Sequence, residues 1–178
     1  MKKFLLLSFV VILCALAMFL TVRTLFPIKY LDTITAHAGE LDPSFILAVI
    51  MAESSFDYRA ESRAGAQGLM QLMPATAADM ARRMGMTDFT PEQVWIPEVN
   101  IAIGVFYLNW LKNYYDGNLD LVLAAYNAGL GNVNSWLNNP EFSTDQETIE
   151  TIPFPETENY LRRVQQFQQI YRALLVLP

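Results

Sequence analysis

A mainly α fold, with at most a very small β-hairpin, is predicted by three features of the 178-residue chain. Proline stands at the start of helix-like stretches, in Asp42-Pro43, at Pro74, in Thr90-Pro91 and at Pro97, where its fixed φ and missing N–H are tolerated. Apolar residues recur at helical spacing, as in Ile101, Val105, Leu108 and Leu111, which places them on one face. Strand signals hardly appear, and residues 66–72 are the best place for a short pairing.

The first element is apolar. Phe4 to Leu20 carries no charge and follows Met1-Lys2-Lys3; extended through Val22 it would span about 28 Å as a helix, close to the thickness of a hydrocarbon core. Ala15-Leu16-Ala17 offers small residues for a cleaved signal peptide, but Met18-Phe19-Leu20 continue apolar beyond it. The length favours a retained transmembrane helix over a signal segment. Residues 1–29 are therefore read as a membrane anchor or signal segment with a short linker, and residues 30–178 as one compact domain. Cys14 is the sole cysteine, so no internal disulfide forms, and it reads as one more apolar residue of the membrane segment.

Within the domain, Asp42 caps a helix that Pro43 opens and that runs through Ile46, Val49 and Ile50 toward Glu53. A helix from Pro74 ends at Gly85. Thr90 and Gln93 have the spacing of a capping box, and the long helix from Pro97 ends near Asp116-Gly117-Asn118. Another runs from Leu119 to about Asn127, where Gly129 and Gly131 break it. Residues 138–155 are acidic, proline-containing and irregular, and a last helix from about Glu158 places Leu161, Val164, Tyr171 and Leu174 on one face.

Charge narrows the partners. The net charge is −6, yet residues 1–29 hold four bases and no acid, leaving eight bases against eighteen acids beyond them. No Lys or Arg lies between Lys112 and Arg162 while eight acids do, so a nucleic-acid backbone would be repelled. His37 is the only histidine, which excludes a His/Cys metal site and leaves a Ser-His-Asp triad without a recognisable motif. Neither a P-loop nor a G-x-G-x-x-G occurs, and no cofactor is implied.

One residue stands out chemically. Eight apolar residues, Phe45 to Ala52, run directly into Glu53. A carboxyl at the end of a helix apolar on all sides is desolvated, which raises its pKa and keeps a proton available near neutrality, the state a general acid needs. A glutamate emerging into solvent at a helix end is the alternative reading of this segment.

Three ordered stretches carry a resemblance: "AESSFDYRAESRAGAQGLMQLMP" from residue 52, "AAYNAG" at 124–129 and "IPFPETENYLRRV" at 152–164. They resemble the signatures of the lytic transglycosylase family related to goose-type lysozymes, and the match covers nearly all of the chain from residue 30. The resemblance implies a lysozyme-like α domain and an activity on the glycan strands of peptidoglycan. It makes Glu53 the single catalytic acid. It also implies cleavage between N-acetylmuramic acid and N-acetylglucosamine without water, the substrate's N-acetyl group replacing a second carboxylate. A goose-type lysozyme and a non-catalytic glycan-binding scaffold are the alternatives. The match assigns Ser62, Gln71, Tyr126, Asn127 and Tyr160 to substrate binding, with the Tyr160 hydroxyl directed at the catalytic site; Met70 joins them as a thioether suited to a groove wall, although methionines of such a stretch are more often core filler. It leaves Asp57 and Glu61 as surface carboxylates and Glu156 with a role that could be structural. A monomer, tethered to the cytoplasmic membrane with its domain on the cell-wall side, completes the expectation.

Overall fold

The computed structural model describes residues 2–176. Met1, part of the predicted basic flank, lies outside the described residues, as do Leu177, Pro178 and the side chains of Lys2, Lys3 and Leu5. The described residues form eight α-helices and one 3-10 turn, with no strand longer than an isolated bridge. The helices are α1 (Lys2–Leu25), α2 (Leu31–His37), α3 (Pro43–Ser54), α4 (Pro74–Arg83), α5 (Pro97–Tyr114), α6 (Leu119–Ala128), α7 (Leu130–Leu137) and α8 (Pro155–Val176).

α3 is the centre of the molecule. The Asp42 carboxylate accepts the Ser44 N–H at 2.9 Å, satisfying a donor that the helix start leaves unpaired. Ser44 to Ile50 are all buried, because α3 has neighbours on every side. α8 lies antiparallel along it: Arg172 pairs with Asp42 at 3.2 Å near the start of α3, and Arg163 donates to the Ala52 carbonyl at 3.3 Å near its end. Leu161, Val164, Tyr171 and Leu174 are the buried stripe of α8, as their spacing predicts, and the helix begins at Pro155, three residues before its expected start.

α5 supports the other flank. Its buried stripe includes Ile101, Val105, Leu108 and Leu111. Gly104 on the same stripe leaves room for the Met70 side chain, which a Cβ there would strike. Pro43, Pro74 and Pro97 each open a helix as predicted. The Thr90–Gln93 capping box is formed, and it starts the 3-10 turn Pro91–Trp95.

Three elements differ from expectation. α2 has no side-chain cap; its N-cap Tyr30 is left-handed at φ 58°, and nothing in its sequence announces it. Gly129 does end α6, at φ 88°, but Gly131 sits inside α7. A glycine in a helix costs only about 1 kcal/mol, and burial of Val133, Trp136 and Leu137 offsets that. The expected hairpin at residues 66–72 reduces to two bridges, Glu61 with Gln67 and Gln67 with Leu72.

α1 has a different surround. Most of its side chains are exposed, and Leu6–Leu25 is long and apolar enough to cross a membrane by length and composition. Its end is tied to α8: the Phe26 ring meets Phe167 at 5.3 Å and Tyr171 at 5.8 Å edge to face, and the Tyr171 hydroxyl donates to the Pro27 carbonyl at 3.3 Å.

Candidate active site

Glu53 sits in the last turn of α3, partly buried. Ser55 and Phe56 follow in the left-handed region, at φ 52° and 64°. Two such residues in succession are strained; they turn the chain sharply and return Phe56 to the core. Glu53 is thus held at the rim of the apolar centre instead of swinging into solvent.

Burial pushes the Glu53 carboxyl up to about 7, because the charged form loses its hydration. The Tyr160 hydroxyl and the Arg163 guanidinium pull in the opposite direction without overcoming it. Tyr160, on the second turn of α8, is 2% exposed, and its hydroxyl has no partner at full hydrogen-bonding geometry. A hydroxyl donor beside an acid interacts more strongly with the carboxylate than with the neutral carboxyl, so it favours ionisation. Burial and the Glu53 charge hold the Tyr160 phenol well above its ordinary range. The Arg163 guanidinium lies 5.9 Å from the centre of the Tyr160 ring.

Opposite this pair, residues 60–73 form a tight irregular segment fixed from three sides. The Ser54 hydroxyl donates to the Leu69 carbonyl at 2.8 Å. The fully buried Asn100 of α5 accepts the Met70 N–H at 2.8 Å and donates to the carbonyls of Val94 and Gln67 at 2.9 and 3.1 Å. The Tyr126 hydroxyl of α6 donates to the Met70 carbonyl at 2.8 Å. Gly68, at φ 77°, is the point where Asn100 comes too close for any Cβ, so this glycine admits an amide of the protein.

Gln71 is left-handed at φ 46°. Its Nε2 donates to the carbonyls of Ala60 and Gly68 at 2.9 and 3.0 Å, which leaves its carbonyl oxygen for a ligand. Non-glycine residues held in this region cluster at functional sites. Gln71, Tyr126 and Asn127 line one cavity of about 220 Å³ together with Met73, Thr76 and Tyr107. The Asn127 carbonyl oxygen accepts from the buried Thr157 hydroxyl at 2.8 Å, so the side-chain N–H groups of Asn127 remain for the cavity. Glu53 is linked to this cavity through Tyr126: burial first, and then the Glu53 charge, hold the Tyr126 phenol well above its ordinary range.

The predicted site residues thus separate. Glu53, Gln71, Tyr126, Asn127 and Tyr160 are brought together. Ser62 is not on this cavity; its hydroxyl accepts the Ala66 N–H at 2.9 Å and closes the turn behind Gln71. Met70 is a correction: its side chain is wholly buried beneath Gly104, so only its backbone serves the site. The Tyr126 hydroxyl is committed to Met70, leaving the ring as its contribution. Asp57 and Glu61 are exposed, as expected of surface carboxylates, and so is Glu156 on the first turn of α8. Ser54, Asn100 and Thr157 support the site without being evident from the sequence as functional residues. Their partners lie 15, 30 and 30 residues away, a separation that local patterning does not register; Ser54 and Thr157 have a signal in their places within "AESSF" and "PFPETENY", and Asn100 has none.

Residues 33–149 match the family model described as the transglycosylase SLT domain. A soluble lytic murein transglycosylase of Salmonella typhimurium is 36% identical over 154 residues, covering 84% of this chain and 24% of that protein. Among solved structures, the 70 kDa soluble lytic transglycosylase of Escherichia coli superposes with a TM-score of 0.77 at 30% identity, over 87% of this chain and 26% of that one. An inactive mutant of the lytic transglycosylase Slt of Pseudomonas aeruginosa gives 0.74 at 35%, over 86% and 25%. The chain spans about a quarter of the length of these relatives. With its helical, lysozyme-like architecture and its three signatures converging on Glu53, it belongs to the transglycosylase SLT domain family.

Proposed function

We propose that this chain is a peptidoglycan lytic transglycosylase that cuts the β-1,4 bond between N-acetylmuramic acid and N-acetylglucosamine without water. One observation carries the reading: Glu53 is a carboxyl held up to about 7 by burial beside Tyr160 and Tyr126, and the cavity that Tyr126 shares with Gln71 and Asn127 is lined by no carboxylate. Most glycosidases need two carboxylates across the scissile bond, and those that manage with one draw on the substrate itself.

Glu53 is the catalytic residue. Protonated, it delivers its proton to the bridging oxygen as the C1–O bond breaks, and the leaving sugar departs with a free hydroxyl. The N-acetyl carbonyl of the muramyl residue stabilises the positive charge at C1. Glu53, now a carboxylate, accepts the proton of the muramyl C6 hydroxyl while O6 bonds to C1. The product is a 1,6-anhydromuramyl end, and Glu53 finishes protonated. Between the two steps the Tyr160 hydroxyl and the Arg163 charge steady the carboxylate, since both favour its ionised form. The Gln71 carbonyl and the Asn127 N–H groups are the polar contacts available to an N-acetylated sugar, and the Tyr126 and Tyr107 rings supply apolar surface for its faces.

We infer further that α1 is a retained membrane helix, the first part of a 1–29 anchor, and that the 30–178 domain works on the wall side of the cytoplasmic membrane. The unburied, uncharged run from Leu6 to Leu20 supports this. Digestion of purified sacculi followed by mass spectrometry of the released muropeptides tests the chemistry. Anhydro products are expected from the native chain and none from Glu53→Gln; products heavier by one water would instead assign a hydrolytic muramidase.

A further inference from the structure

A second cavity, of about 560 Å³, opens at the far end of α5 and is lined in part by Tyr114, Tyr115, Asn134 and Thr148. Aromatic rings connect it to the catalytic cleft. Tyr126 and Tyr107, which both border the Gln71 cavity, have ring centres 5.3 Å apart. Tyr107 is followed by Trp110 at 6.2 Å and 22° between planes, and Trp110 by Tyr114 at 5.5 Å and 26°. Positions 107, 110 and 114 share one face of α5 and cover roughly 10 Å of its axis, enough to seat two pyranose rings.

Core packing accounts for only part of this row: Tyr107 and Trp110 rest against the core with one part of each ring, and Tyr114 does not. The core contribution of α5 comes from Ile101, Val105, Leu108 and Leu111, whereas Tyr114 is 47% exposed and Trp110 is only partly buried. The row is nevertheless fixed in place. Asn134 of α7 donates to the Tyr114 hydroxyl at 2.8 Å and accepts from the Tyr115 hydroxyl at 3.0 Å. From α4, the Arg83 guanidinium lies 5.4 Å from the Trp110 ring centre and is held by Asp79 at 2.8 Å. Aromatic faces with polar edges suit a sugar chain, and a cation beside them suits acidic substituents on it.

We propose that Tyr107, Trp110 and Tyr114 form a docking track for the glycan strand, leading from the catalytic cleft along α5 to the cavity at Asn134. The track holds the part of a long strand beyond the bond being cut. This rests on the peptidoglycan reading of the cleft, and it separates from that reading because a short glycan fills the cleft without reaching Trp110.

The full chain in detergent, with Trp110 and Tyr114 both changed to Ala, is compared with the native chain on long purified glycan strands and on a tetrasaccharide. KM for long strands is expected to rise roughly tenfold with kcat little changed, while the tetrasaccharide shows no comparable rise. Trp110→Phe keeps a ring and should retain most of the long-strand affinity. Binding is read separately in Glu53→Gln: hexameric N-acetylglucosamine is expected to perturb tryptophan fluorescence, the dimer much less, and the signal should vanish when Trp110→Phe is added. Equal losses on long and short substrates, or unchanged KM on long strands, overturn the track. If the native chain cleaves neither substrate, the catalytic reading fails, and the fluorescence titration alone decides the track: a signal dependent on oligomer length and on Trp110 supports it, and its absence refutes it.

Discussion

α1 and α3 are both runs of apolar residues, and the structure gives them opposite surroundings. Every residue from Ser44 to Ile50 in α3 is buried in protein; in α1, Phe9, Ile12 and Met18 are each more than half exposed. Composition sets how strongly a segment avoids water, and the neighbouring elements decide what replaces the water. α3 has α8 along it and the rest of the core around it, so its far end is a desolvated place in which a carboxyl holds its proton. α1 has such neighbours only near Phe19, Val22 and Phe26, and the remainder fits a lipid environment.

A charge placed in each helix should break this comparison most sharply. Leu47→Asp puts an unpaired carboxylate into a fully buried position; a loss beyond about 4 kcal/mol is expected, read as loss of the cooperative unfolding transition by circular dichroism. Ile12→Asp, at a position 64% exposed, should leave the melting temperature of the domain unchanged. Its cost of about 3 kcal/mol in a membrane-centred helix appears instead as chain released from the membrane fraction on ultracentrifugation.

The next effects test how rigidly the end of α3 is enclosed. Asn100→Ala leaves the Met70 N–H and the Val94 carbonyl without their partner and should cost about 2–3 kcal/mol in denaturant unfolding, with a parallel fall in activity as the segment around Gln71 loosens. Glu53→Gln should become more stable than the native chain as pH rises. The native carboxyl, raised from 4.5 to about 7, favours folding while protonated and loses that contribution as pH rises from 4.5 through 7. The variant has no such loss. Near pH 8 it should therefore exceed the native chain by about 3 kcal/mol, with the difference gone near pH 4.

The smallest effect is the most specific. Tyr160→Phe removes a hydroxyl that pulls the Glu53 pKa down, so the descending limb of the pH–activity profile, expected near pH 7, should move upward by less than about one pH unit. A downward move would show that the hydroxyl stabilises the protonated acid instead.

What the sequence discloses follows the range of the interactions involved. Asp42-Pro43, Pro74 and Pro97 act within one turn, and each marks a helix start correctly. α2 and α7 escape because their local signals are absent or misleading: the N-cap Tyr30 has no side-chain bond, and Gly131 reads as a breaker although it lies within α7. At the candidate site, Glu53 is visible from its apolar approach and Gln71, Tyr126, Asn127 and Tyr160 from the signatures. The division between side chains that face the cavity and those that support it is not. Met70 and Gln71 are adjacent, yet one is wholly in the core and the other on the cavity, because the left-handed turn at Gln71 and the space over Gly104 are tertiary facts.

Met70 also bears on kinetics. Its N–H is held by α5, its carbonyl by α6 and its thioether lies over Gly104, so one residue joins the irregular segment to two helices at once. A wall fastened in this way is expected to keep its shape when a ligand enters the cleft. Association of a glycan with the cleft should therefore follow a single exponential whose rate climbs linearly with strand concentration, with no slower closing phase behind it.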